Sequence, residues 1–206
     1  MKIAFDEIKD EKLNLIKNRL IGIPALLFAD EEPFTLAQIL KKSKSNASAK
    51  AGADRLVYSY WATYEMPVVI IRPFNNYGPY QHLEKAVPRF ITSCIMNEPV
   101  RVHGDGTAAR DFIFVEDVCA AIDTVMHADI NKIKGEVFNV ANGVHRSILS
   151  IARDVVRMMG KDEALIRCVG DRPGQVFRHT GDITKIKNKI GWQPQIIWED
   201  GLERTI

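Results

Sequence analysis

The 206 residues suffice for one sizeable domain with a core of its own, and 46% apolar with 26% charged residues is ordinary for a globular chain. A formal charge of +2 leaves no stripe for nucleic acid and no polybasic anchor for a membrane. The longest apolar stretch, Leu20 to Ala29, is interrupted by Gly22 and Pro24 and is about half of a bilayer span. Asp6, Glu7 and Asp10 close to Met1 do not make the basic-then-apolar layout of a signal peptide, so the cytoplasm is the expected compartment. Cys94, Cys119 and Cys168 are odd in number and too far apart for a disulfide framework or a zinc knuckle, and buried thiols are predicted. The five histidines form no HxxxH pair, and no metal is expected.

In chain order, a charged amphipathic stretch over Phe5 to Leu20 precedes the apolar one, and a short helix is predicted over Thr35 to Lys42. The Ser/Lys-rich run Lys41 to Ser48 reads as a linker or irregular loop. From Lys50 onward helix and strand alternate. Leu56, Val57, Tyr60, Trp61 and Tyr64 fall on one helical face. The continuously apolar run Pro67 to Ile71 has the pattern of a buried parallel strand. A helix over Ala86 to Met96 tolerates Pro88 because that residue lies in its first turn. Another, near Asp117 to Met126, places acidic residues at the positive end of its dipole. A strand over Glu136 to Val140 follows. Then comes a helix capped by Ser147 and ended by Gly160, and a final short helix from Asp182 to the stop at Gly191. The alternation predicts an α/β protein.

Three segments carry chemistry. Arg72-Pro73-Phe74-Asn75-Asn76-Tyr77-Gly78-Pro79-Tyr80-Gln81 begins where the buried strand ends, the place where open α/β sheets bind ligands. Its two asparagines offer donors and acceptors to a polar ligand; a rigid turn shaped by Pro73, Gly78 and Pro79 explains the same residues. Gly104-Asp105-Gly106 with Arg110-Asp111-Phe112 reads as a turn followed by an arginine that is either a surface charge or an anion ligand. Asp171-Arg172-Pro173-Gly174-Gln175 reads as a solvated turn or as a second anion ligand.

Together these motifs, from about residue 49 to 206, resemble the extended short-chain dehydrogenase/reductase family of NAD-dependent nucleotide-sugar epimerases and dehydratases. The string Asn75 to Tyr80 with Glu84-Lys85 and Pro88 is most similar to its dTDP-glucose 4,6-dehydratases. The resemblance implies a truncated Rossmann-like fold: mainly the substrate-binding lobe, plus the last strands and helices of the parallel sheet. It implies that Asn75 hydrogen-bonds the sugar nucleotide and that Asn76 lies toward the nicotinamide. Lys85, Val100 and Val102 would line the nucleotide side, Arg110 and Arg172 would clamp the diphosphate, and Asn139 would lie near base or ribose. Guanidinium suits this role because its planar fork pairs with phosphate oxygens. Gly191-Trp192-x-Pro194 matches a late structural turn.

The family's opening GxxGxxG turn, which cradles the pyrophosphate of the dinucleotide, finds no match in residues 1–49, where Gly22 is the sole glycine. Lys50 matches the lysine of the catalytic Tyr-x-x-x-Lys, but Asn46 stands where tyrosine belongs, and an amide does not titrate usefully as a base. Residues 1–48 therefore read as an atypical segment in place of the cofactor-binding half, and 49–206 as the nucleotide-sugar-binding part. The expectation is a family member that binds a nucleoside diphosphate sugar but is inactive as this isolated chain, with no NAD bound to it alone. Two alternatives stay open. One is a non-catalytic module that holds a nucleotide sugar or pairs with another subunit, a copy of itself or a partner supplying the cofactor domain; the other is a decayed reading frame.

Overall fold

The computed structural model describes residues 27–28, 47–171 and 176–206, with side-chain surroundings given from residue 52 onward. The features predicted over Phe5 to Leu20 and Thr35 to Lys42 lie outside the described residues, as does most of the linker run up to Ser48. The described residues fall into two compact units, one of those up to Arg72 with Ile122–Phe138, the other of Pro73–Ala121 with Asn139–Ile206.

In the first unit, β1 (Leu27–Phe28), β2 (Val68–Pro73) and β6 (Val137–Val140) lie side by side with β2 central. The pairing of β1 with β2 is antiparallel, Leu27 opposite Val69. Helix α1 (Ala47–Tyr64) contributes Ala53 and Val57 to a core with Val68 and Ile70, and Tyr60 and Trp61 pack at its margin. The predicted helical face is thus half right. Leu56 and Tyr64 are exposed, because the buried stripe runs through 53, 57, 60 and 61 and leaves Leu56 to one side and Tyr64 in the last turn. Gly135 meets the Trp61 indole at φ 75°, where any Cβ would run into the ring. The short α4 (Ile130–Ile133) precedes it, opened by the side chain of Asp129.

The second unit holds a sheet ordered β3 (Asn75–Tyr77), β5 (Ala109–Phe114), β7 (His145–Ser147), with β9 (Arg178–His179) also on β5. β3 and β9 run parallel to β5, and β7 runs antiparallel. A separate parallel pair joins β4 (Val100–His103) to β8 (Ile166–Val169). Around them, α2 (Ala86–Ile95) and α5 (Ile148–Met158) supply Val87, Phe90, Ile91, Ile151, Val155 and Val156 to one large core. Pro88 sits in the first turn of α2, Ser147 accepts from the Ser150 N–H at the start of α5, and Gly160 follows that helix at φ 63°, all as the sequence predicts.

Helix α3 (Val115–His127) begins with Glu116 and Asp117, yet the Asp117 carboxylate is buried and accepts from the backbone N–H groups of Gln195 (2.9 Å) and Ile196 (3.0 Å). Its role is a clip on a distant segment rather than a solvated dipole partner. After α6 (Thr184–Ile190), ended by Gly191 at φ 74°, the chain forms a helix that the sequence does not predict, α7 (Trp198–Glu203), as it does not predict α4. Trp198 is buried against Tyr77 and Phe112, and its indole N–H donates to Asp154 at 2.9 Å. Gly201 lies so close to the Tyr77 hydroxyl that a Cβ has no room. Of the three thiols predicted to be buried, only Cys94 is; Cys119 and Cys168 are exposed, on α3 and on the open β4–β8 pair. Among the described residues no helix is long and apolar enough to cross a membrane.

Candidate functional site

The segment read as a loop after the buried strand is in part a strand: Asn75, Asn76 and Tyr77 pair with Phe112, Ile113 and Phe114 of β5. Arg72, before it, is occupied within the first unit, its Nε donating to Asp54 at 2.7 Å. Asn75 donates through Nδ2 to the Asp111 carbonyl at 3.0 Å, which fixes its amide. The backbone carbonyl of Asn76 accepts from Gln81 Nε2 at 2.6 Å, while Asn76 Oδ1 and Gln81 Oε1 are buried without a partner among the described residues. A buried acceptor left unpaired costs about 1–3 kcal/mol, a cost a ligand donor would relieve. Tyr77 is a core residue, and burial pushes its hydroxyl far above the ordinary phenol value, so it is not an acid–base group.

Gly104 and Gly106, at φ 65° and 75°, make the turn from β4 toward β5. Between them Asp105 accepts from the Thr107 hydroxyl and N–H, bonds that hold its carboxyl below the ordinary range. The turn delivers Arg110, half-buried on β5, whose Nη1 donates to the Ala109 carbonyl at 2.7 Å. In the ladder Arg110 stands opposite Arg146 of β7 and His179 of β9, a basic row across three strands. Arg146 also reaches Glu199 at 3.5 Å and lies over the Trp198 ring. His179 stacks on Phe74 with ring centroids 4.8 Å apart.

Next to Arg110, Asp111 is fully buried and gathers three backbone N–H groups: Asn142 at 2.9 Å on Oδ1, and Gly143 and Gly181, both at 3.0 Å, on Oδ2. Asn139 donates to the Asp182 carbonyl at 3.3 Å, closing the same group of segments. Asn75 is thus bonded to Asp111 itself, Arg110 is its neighbour along β5, and Asn139 bonds the residue after Gly181. Lys85 stands apart at the N-terminus of α2 with an exposed side chain. Val100 and Val102 are wholly in the core, backbone included, and pair with β8. Arg172 and Asn46 lie outside the described residues, and Lys50 is in α1 with its side chain outside the described part. Sequence reasoning gave Asp111, Arg146 and His179 no role. The available signal was a lone carboxylate inside the apolar strand run Phe112-Ile113-Phe114.

The fold and this cluster define the extended short-chain dehydrogenase/reductase class of nucleotide-sugar dehydratases and epimerases. The chain belongs to that family: the family model described as GDP-mannose 4,6 dehydratase matches residues 29–205, beginning ahead of residue 49, where the motifs start. A low-salt glycan biosynthesis protein of Haloferax volcanii is 41% identical over 174 residues, covering 84% of this chain and 54% of that protein. The structure of a dTDP-glucose 4,6-dehydratase from Streptomyces venezuelae, with NAD and TYD bound, superposes at a TM-score of 0.73 with 32% identity, covering 86% of this chain and 54% of that one. A UDP-glucuronic acid 4-epimerase from Bacillus cereus, in complex with UDP-glucuronic acid and NAD, gives 0.73 and 28%, covering 85% and 54%. The chain thus spans about half the length of these relatives.

NAD is the cofactor bound in these neighbours. Its pyrophosphate needs a glycine-rich strand-to-helix turn, and among the described residues no helix opens on one: α2 follows Lys85, α3 follows Phe114 directly, and α5 follows Ser147. The described residues do not by themselves fit the whole dinucleotide.

Proposed function

We infer that this chain holds the nucleoside diphosphate part of a nucleotide sugar, by descent from 4,6-dehydratases and 4-epimerases, the lyases and isomerases of its family. Arg110 and Arg172 would share the diphosphate charge, Asn75, Lys85 and Asn139 would contact nucleotide and sugar, and Asn76 with Lys50 would lie on the cofactor side. The observation that carries this reading is the basic row of Arg110, Arg146 and His179 across three strands, next to Asp111, which holds Asn75 and the Asn142, Gly143 and Gly181 N–H groups. With Asn46 at the tyrosine position and no glycine-rich turn in residues 1–49, the 206-residue chain is a holder without turnover of its own. Residues 1–48 would then stand in place of the cofactor half, and a second copy or a partner chain in the cytoplasm would complete the site.

Calorimetry with uridine or thymidine diphosphate against the monophosphate tests the binding reading. The diphosphate should bind more tightly, and Arg110→Ala should remove about 2 kcal/mol, a charge-assisted hydrogen bond. Equal affinities would sink it. Incubation with dTDP-, UDP-, GDP- and CDP-hexoses plus NAD should yield neither a 4-keto-6-deoxy sugar nor a C4 epimer. Turnover by the unmodified chain would show that a residue other than Asn46 serves as base.

A further inference from the structure

Asp111 is a fully buried carboxylate in the strand that presents Arg110. Its two oxygens take N–H groups from the turn after β6 and from Gly181, which follows β9, and its own carbonyl takes the Asn75 amide. Asn142 Nδ2 adds a bond to the neighbouring Phe112 carbonyl at 3.5 Å. The approach at Gly181 is so close that a Cβ there would strike Ala141. Burial pushes the Asp111 carboxyl above its ordinary range, and the three N–H bonds and the nearby His179 pull it back only in part. With the folded-state value above the unfolded one, the ionised carboxylate of neutral pH weakens folding, and this effect vanishes below the ordinary carboxylate range. A buried carboxylate that gathers the N–H groups of three residues from two segments acts on their position.

We propose that Asp111 is the positioning residue of the diphosphate site: by clamping Asn142, Gly143 and Gly181 onto β5 it sets the place of Arg110 and of the segments carrying Asn139 and His179. This rests on the nucleotide-sugar reading above. Its carboxylate is fully buried and accepts three N–H groups, so its effect on an anion would run through the strand and turns it holds. Asparagine has the same shape but replaces one acceptor oxygen with a donor, and at least one of the three N–H groups then faces an NH2.

The experiment is the ratio of diphosphate to monophosphate affinity for the wild-type chain and for Asp111→Asn, by calorimetry, with the folded fraction followed by circular dichroism. The ratio should fall about tenfold or more in the variant, at an unchanged folded fraction and with nucleoside affinity kept. A merely structural role would instead lower the folded fraction or weaken all ligands in proportion. A wild-type ratio near one removes the nucleotide-sugar reading and this proposal with it; a high wild-type ratio retained by Asp111→Asn overturns this proposal alone. A second measurement needs no variant. If the clamp and the anion are coupled, the coupling is reciprocal, so uridine diphosphate should slow hydrogen exchange at the Asn142, Gly143 and Gly181 amides of the wild-type chain more than the monophosphate does. Equal protection by the two nucleotides also overturns it.

Discussion

The two units are held in different ways. The first rests on a small aliphatic core between α1 and β2, and its long-range side-chain bond, Arg72 to Asp54, lies at the surface. The second has a larger core, and through it run three carboxylates, Asp111, Asp117 and Asp154, each tied to N–H groups far away in sequence. Apolar contacts alone hold a sheet and a helix together, because they are non-directional. Fixing the ends of several irregular segments needs directional bonds, and those are concentrated in the unit that carries the candidate site.

Three substitutions sharpen that contrast. The largest effect should come from Trp198→Ala, which empties the buried ring site against Tyr77 and Phe112 and removes the indole donor to Asp154; a loss of about 3–5 kcal/mol is expected from the second unit. Urea unfolding followed by far-ultraviolet circular dichroism checks it, and a loss below about 1 kcal/mol would mean that α7 is not part of that core. Asp117→Ala should cost about 2–3 kcal/mol by leaving the N–H groups of Gln195 and Ile196 without their acceptor. Limited proteolysis should then open the chain near residue 195 before any other described segment. An unchanged cleavage pattern counts against the clip. The smallest effect belongs to the first unit: Arg72→Ala removes an exposed pair and should shift the urea midpoint by less than the equivalent of about 1 kcal/mol. A loss as large as that of Asp117→Ala would erase the distinction between the units.

What was legible in the sequence follows the same divide. Periodicity and punctuation located β2, α2, α3, β6, α5 and α6, because a core-facing stripe, Ser147 or Gly191 acts over a few residues. The short strands β3, β7 and β9 were not legible, since each exists only through its ladder with β5. Helix α7 was hidden by the Gly191-Trp192-x-Pro194 turn, beyond which a six-residue helix has too few turns to show a period. The motif Arg110-Asp111-Phe112 was visible, but its Asp111 gained a role only with partners 31, 32 and 70 residues away. The Cys119 and Cys168 exposures were missed because a small, weakly polar side chain gives no pattern of its own.

The setting of Trp198 has a consequence in spectroscopy. Its indole is 2% exposed, is bonded at Nε1 to Asp154, and carries the Arg146 guanidinium 5.1 Å from the ring centroid. Arg146 faces Arg110 across the β5–β7 ladder. A positive charge over an indole acts on the electron density that its excited state redistributes, so the colour of its emission depends on how that charge is balanced. An anion arriving at the basic row changes the balance one strand away from the ring. If the basic row takes up an anion, the emission of Trp198, shielded from solvent, would report it against the background of the buried Trp192.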